Sequence, residues 1–156
     1  MICEICKNVE FLKQRAKAVS KEEAPALGQD MLDTLEAHRS SCVGMAANMI
    51  GIAKSAIIVN IAADTGSPAS ALPGISQPGY EPEVMFNPKL IRVSPKTYDT
   101  EEGCLSLLGS PRKCKRYKTI KVQYQTLEMQ TRTKNFTGWT AQIIQHEVDH
   151  CNGILI

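Results

Sequence analysis

The sequence predicts an α+β fold. Three observations carry that expectation: two stretches with helical periodicity, several short strand-like segments, and one alternating segment that marks a half-buried antiparallel strand. The first helix is expected over residues 25 to 38. Pro25 suits an early helical position, and Leu27, Met31 and Leu35 recur every fourth residue. Gly28 weakens this stretch and Ser40-Ser41 breaks it. Ser55 to Ile61 is short and β-branched, which suits a buried strand. Ala62 to Glu83 holds Pro68, Pro73, Pro78 and Pro82 with Gly66, Gly74 and Gly79, so an exposed loop is expected there. Val84 to Val93 is strand-like with an interruption at Pro88. In Thr119 to Thr126, Ile120, Val122 and Tyr124 share one face, and Lys121, Gln123 and Gln125 share the other. Leu127 to Phe136 alternates less cleanly and is expected to pair back onto it. The second helix is expected from a Thr137 cap to Cys151, with Asn152-Gly153 as its stop.

Length and composition narrow the function. A chain of 156 residues suits one domain spanning 1–156, because two would each have a thin core. The 43% hydrophobic and 22% charged shares exclude disordered, collagen-like and coiled-coil classes. Eighteen Lys and Arg against 16 Asp and Glu leave +2, too little to argue for a nucleic-acid or membrane partner. The longest apolar run, Ala56 to Ala63, is interrupted by Asn60, whereas a membrane span needs about 20 residues. Met1 to Lys7 lacks the charged-then-apolar order of a signal peptide. A cytoplasmic location with reduced cysteines is therefore expected.

The strongest chemical signal is His146-Glu147-Val148-Asp149-His150, an H-E-x-x-H on the second helix. Helical positions i and i+4 share a face, so two imidazoles can grip one metal while Glu147 reaches a water on it. Trp139, Ile143, His146 and His150 form one stripe of that helix and point the histidines inward, where an unliganded pair would be costly. A catalytic site usually takes a third protein ligand. The longer H-E-x-x-H-x-x-G-x-x-H pattern holds through Gly153 and then meets Ile156, so the third ligand is expected upstream. The cysteines, His38 and the carboxylates are all candidates. Cys104 stands out because Gly103 before it lets a ligand or another backbone approach closely, and a thiolate with two imidazoles suits Zn²⁺ or Fe²⁺.

The chain resembles peptide deformylases. That family carries G-x-G-L-A-A-x-Q, then E-G-C-L-S, then Q-H-E-x-D-H. Here the corresponding segments are Cys42 to Met49, Glu102 to Ser106 and Gln145 to His150, the last two matching in full. Phe11 to Val19 also looks family-like. The resemblance implies an α+β fold whose antiparallel or mixed sheets pack around a central C-terminal metal-binding helix. It implies a metal-dependent hydrolase that removes formyl from N-terminal formyl-methionine of new polypeptides. Carried over, Cys104, His146 and His150 bind one divalent ion, Glu147 is the general base, and the Leu105 backbone N–H helps hold the oxyanion. Val43, Gly44 and Gly103 would line the substrate backbone, and Trp139 and Ile143 would shape the methionine pocket. Arg116 would pair with Glu102. The ion expected in the cell is Fe²⁺, with Zn²⁺, Ni²⁺ or Co²⁺ as substitutes. The partners are formylated peptide N-termini. The ribosome is a candidate partner, but the docking segment that many members carry past the last motif is not expected, since the sequence stops at Ile156.

Two positions depart from the family. Met49 stands where the family has a glutamine that donates to the developing oxyanion, and a thioether cannot donate. Losing one such donor lowers turnover about 10²–10³-fold, so weakened activity is expected. Asn48 carries the right group but would point away in an extended segment. Cys42 replaces the first glycine of its motif and would be strained if that site needs positive φ. The alternatives are a paralogue acting on another N-acyl or peptide substrate, and a non-catalytic metal-containing peptide-binding protein. Elsewhere, Cys3-x-x-Cys6 reads as part of a frayed N-terminal segment, since no second C-x-x-C completes a zinc site. Arg112, Lys113, Lys115, Arg116 and Lys118 read as a solvated strand edge. Cys114 and Cys151 read as packing residues, and His38 as a partner of its helix dipole.

Overall fold

The computed structural model describes residues 1–38, 42–62, 80–104 and 106–155. In chain order they form α1 (Val9–Leu12), α2 (Ala24–Ala37), β1 (Gly44–Ala46), a single 3-10 turn (Ala47–Ile50), β2 (Ala56–Ala62), β3 (Tyr80–Val93), β4 (Thr97–Cys104), β5 (Leu107–Tyr117), β6 (Thr119–Gln125), β7 (Thr131–Thr137) and α3 (Gly138–Cys151). One antiparallel sheet runs β1-β2-β3-β6-β7, and β4 pairs with β5 in a separate hairpin. The architecture is mixed α+β, with α3 packed across the five-stranded sheet. No helix among the described residues is long and apolar enough to cross a membrane.

The core follows from the apolar pattern. Ala56 to Val59 are all fully buried, so β2 is covered on both faces. Leu27, Met31 and Leu35 of α2 are buried at their every-fourth spacing, and Ile120, Val122 and Tyr124 are the buried face of β6. β1 closes on α3 so tightly that a Cβ on Gly44 would sit 2.8 Å from Ile143 Cγ2 and 3.3 Å from Glu147 Oε2. Gly44 thus brings the sheet against the helix that carries the histidines.

Several expectations change. β3 begins at Tyr80 and absorbs the end of the expected loop, while residues 63–79 and the expected break at Ser40-Ser41 lie outside the described residues. Pro88 does not end the strand. Its missing N–H falls in a bulge, where the register shifts between Phe86 and Lys89 and Asn87 takes φ 51°. Asn87 holds that conformation by accepting from the Val19 N–H at 2.8 Å and donating to the Val19 carbonyl at 3.1 Å. Thr137 precedes α3 in extended conformation, but its hydroxyl donates to the Lys118 carbonyl instead of capping the helix. The N-terminal segment is docked, not frayed: the Cys3 N–H donates to Thr34 Oγ1 at 2.9 Å and the Cys6 N–H to the Met49 carbonyl at 2.6 Å.

The basic run lies on β5 except for Lys118 just past its end; Lys113 and Lys115 stand opposite Glu101 and Asp99 of β4, and Arg116 turns inward. Of the stretch expected to pair back onto β6, Thr131 to Phe136 do so, as part of β7, while residues 127–130 make the turn. The hairpin β4–β5, the short β1 and α1 have no apolar pattern that announces them.

Past α3 the chain turns at Gly153, with φ 74°, and a Cβ there would lie 2.3 Å from the Lys13 carbonyl oxygen. Gly153→Ala is therefore expected to destabilise the fold by about 1–3 kcal/mol, seen as a lower urea midpoint. An unchanged midpoint would contradict this packing.

Candidate metal centre

His146 and His150 lie one turn apart on α3, with ring centroids 5.1 Å apart. Cys104, at the end of β4, brings its Sγ within 3.4 Å of His150 Nε2. The donor atoms of Cys104, His146 and His150 all lie within 4.8 Å of one another. Two donors on one tetrahedral ion at ordinary S and N bond lengths stand about 3.5 Å apart, so this set fits a single ion. Two buried atoms beside it, Glu147 Oε1 and His150 Nδ1, have no hydrogen-bond partner among the described residues. The mixed thiolate and imidazole chemistry suits a borderline divalent cation.

The centre is assembled by a match between strand and helix. Alternate residues of β4 meet every fourth residue of α3. The Tyr98 hydroxyl donates to Gln142 Oε1 at 3.0 Å, and Gln142 Nε2 donates weakly to Thr100 Oγ1 at 3.4 Å. His146 Nδ1 donates to Glu102 Oε1 at 2.8 Å, and Cys104 meets His150. Two strand residues rise about 6.6 Å and four helical residues about 6 Å, so the pairs stay in step. β5 is pinned to the same helix, since Gln145 exchanges hydrogen bonds with the backbone of Tyr117 at 2.8 and 2.9 Å.

Glu102 is the hub of the second layer. Arg116 donates to it through Nε at 2.9 Å and Nη2 at 2.6 Å, and through Nη1 to Asp149 at 2.7 Å. Burial alone would raise the Glu102 carboxyl, but hydrogen bonds from Arg116 and His146 outweigh it and hold the group at about 2. Glu102 is thus a permanent anion that fixes His146 with Nδ1 protonated and Nε2 facing the centre. Burial and then the neighbouring His146 charge press His150 down to about 3, so its ring is neutral. Burial would lower His146, but Glu147, Cys104 and Glu102 outweigh it and lift the group to about 10, so an arriving cation displaces a proton there. Burial pushes Glu147 up to about 7, suiting it to exchange a proton near neutrality.

A cavity of about 440 Å³ opens onto these groups. Its wall includes Val43, Gly44, Met49, Gly103, Cys104, Trp139, Ile143, His146 and Glu147, with Cys42, Glu101, Glu102 and Gln142 added. A Cβ on Gly103 would meet no protein atom within 4 Å, so that glycine leaves the space to the cavity. Leu105 lies outside the described residues. Met49 is 1% exposed and aims its side chain at the cavity wall, its Sδ accepting from the Ala46 N–H at 3.4 Å. Asn48 does point away, but because the segment is a 3-10 turn and not an extended one. Cys42 is buried and borders the cavity. Its thiol, pushed up to about 12 by burial, donates to the Gly44 carbonyl at 2.8 Å. The sequence reading missed Gln142 and the grip of Asp149 on Arg116. The i, i+4 spacing from Gln142 to His146 and His150 was the available signal for the first.

A family model described as "Polypeptide deformylase" matches residues 2–156. The chain is 39% identical over 156 residues to the peptide deformylase of Clostridium beijerinckii, covering 100% of both. It is 31% identical over 147 residues to that of Thermotoga maritima, covering 93% of this chain and 78% of the other. Its fold is similar to the class I type b peptide deformylase of Acinetobacter baumannii bound to Met-Ala-Ser, with TM-score 0.79, 32% identity, and 99% and 96% of the two chains covered. The actinonin-bound structure of that protein gives TM-score 0.79 at 33% identity, over 99% and 95%.

The Glu102–Arg116 pair is 8% and 5% exposed. Arg116→Met removes the guanidinium from a buried anion and is expected to destabilise the protein by about 3–5 kcal/mol in chemical denaturation. A change below about 1 kcal/mol would show that the pair does not organise this layer.

Proposed function

The chain belongs to the polypeptide deformylase family, and from that premise we propose that Cys104, His146 and His150 hold one divalent ion and that Glu147 is its general base. The protein is a metal-dependent hydrolase that removes the formyl group from the N-terminal formyl-methionine of newly made polypeptides. The observation that carries the site is the convergence of three donor atoms within 4.8 Å beside the Glu147 carboxylate.

When bound, the ion supplies Lewis acidity, bringing a water near neutral pKa and polarising a carbonyl. Cys104 contributes a negative charge to its shell, and Glu102 keeps the His146 ring turned toward it. Glu147 accepts a proton from the attacking water and returns it to the departing amine as the C–N bond breaks and formate leaves. Trp139 and Ile143 shape the pocket for the methionine side chain, and Val43, Gly44 and Gly103 line the substrate backbone. Fe²⁺ is the ion we assign in the cell, because a thiolate with two imidazoles suits it; Zn²⁺, Ni²⁺ or Co²⁺ would also fit the donors. That the Acinetobacter baumannii protein binds Met-Ala-Ser supports a peptide whose first residue is methionine.

The turnover is proposed to be weakened. Met49 occupies the wall where a donor to the developing oxyanion would stand, and a thioether has no proton to give. Asn48 is committed to the His150 carbonyl at 2.8 Å and does not replace it. The same observation favours a second reading, hydrolysis of another N-acyl peptide whose carbonyl makes less demand on that position. A panel of N-acyl peptides separates the two.

Two outcomes test this reading on protein loaded with iron without air. Met49→Gln should raise kcat on formyl-Met-Ala-Ser, by up to about 10²–10³-fold. Wild type turning over as fast as other deformylases would overturn the weakening, and inactivity of both proteins would favour the second reading. Glu147→Gln should lower kcat at least about 100-fold while keeping the metal, measured by formate release beside metal content. Full activity in that variant would remove Glu147 from the chemistry.

A further inference from the structure

The two histidines are held in different ways. The His146 ring is fixed from outside, through Nδ1 on Glu102. The His150 ring has no such brace, since its Nδ1 finds no hydrogen-bond partner among the described residues. Its position must then come from its backbone. Yet His150 lies in the last turn of α3, where carbonyls lack intrahelical donors and the helix is freest to fray.

That turn is bolted down by distant contacts from Asn48 and Ala16 and by local ones just past its end. Asn48 Nδ2 donates to the His150 carbonyl at 2.8 Å and more weakly to the Leu12 carbonyl at 3.5 Å. The Gly153 N–H reaches the same His150 carbonyl at 3.0 Å, the Ala16 N–H donates to the Cys151 carbonyl at 2.9 Å, and the Ile154 N–H to the Asp149 carbonyl at 2.9 Å. Asn48 is the one side chain among these, and it is 2% exposed. It sits in the 3-10 turn beside Met49, which faces the cavity. Successive residues of that turn thus face the cavity wall and the end of the metal helix.

Resting on the metal reading above, we propose that Asn48 is a positioning residue that fixes His150 through its backbone carbonyl, as Glu102 fixes His146 through its ring. Metal retention, and not only stability, then depends on the Asn48 amide. Outer-layer partners of metal ligands change affinity about 10–100-fold when lost, and an effect of that size is expected here.

The experiment loads the full chain with Co²⁺ and measures release to a chelator together with the visible Co²⁺ spectrum. Asn48→Asp keeps the shape but has no N–H to donate, and Asn48→Leu removes the polar group altogether. Both should release Co²⁺ at least about tenfold faster, with an altered spectrum. Asn87→Ala is the comparison, because it breaks the Val19 and Gln125 bonds of the β3 bulge. It should lower the thermal midpoint while leaving release unchanged. Native release and spectrum in both Asn48 variants would overturn the proposal, as would equal acceleration in Asn87→Ala at matched stability. Should the variants not fold, the wild type decides by NMR. The Asn48 side-chain amide signal should shift when metal-free protein takes up diamagnetic Zn²⁺ while that of Asn87 stays in place, and an unmoved Asn48 signal would overturn the proposal. Wild-type protein that takes up no Co²⁺ would instead refute the metal site itself.

Discussion

The site depends on two rises staying in step. β4 gains about 6.6 Å every two residues and α3 about 6 Å every four. Thr100, Glu102 and Cys104 therefore meet Gln142, His146 and His150 in turn. Each contact is polar and each partner is short of alternatives, so a one-residue slip of the strand would turn the whole set to the opposite face. The candidate metal donors Cys104 and His150 form the last rung of this ladder, and His146 stands on the rung before it. The rungs before them hold the strand in register, and the pairing with β5 shifts between Glu102 and Cys104, where the last rung borders the cavity.

Charge keeps the ladder from collapsing to a neutral arrangement. A buried Glu102 alone would take up a proton. With two hydrogen bonds from Arg116 and one from His146 it stays ionised, and Arg116 is itself shared with Asp149 of the same helix. Such buried pairs contribute little net stability compared with apolar packing. Their effect here is orientation: Glu102 decides which nitrogen of His146 carries the proton and therefore which one faces a cation. Met49 shows the opposite case, a cavity position where a buried thioether fits the packing and has no proton to donate.

The two imidazoles and Glu147 were legible in the sequence because helical geometry converts a four-residue spacing directly into a shared face. The buried strands were legible for a similar reason: Ile120, Val122 and Tyr124 alternate, and Ala56 to Val59 form an apolar run. The hairpin β4–β5 was not. Tyr98, Thr100, Glu102 and Cys104 do alternate, but as polar residues that bridge to a helix, so hydropathy is silent. For the same reason spacing alone left Cys104 one candidate among several, and the resemblance to deformylases singled it out. The N-terminal segment was misjudged because it is anchored through its own backbone N–H groups, on the Thr34 hydroxyl and the Met49 carbonyl, which its side-chain composition does not reveal. Asn48 was weighed only as an oxyanion donor, and its bond to the His150 carbonyl went unforeseen because its direction depends on a 3-10 turn that no local pattern announces.

X-ray absorption at the metal edge of protein loaded with Zn²⁺ tests the central claim most directly. The account predicts one sulfur at about 2.3 Å and two imidazole nitrogens at about 2.0–2.1 Å, with the remaining position filled by a light atom from solvent. A shell without sulfur, or one closed by four protein ligands, would contradict it.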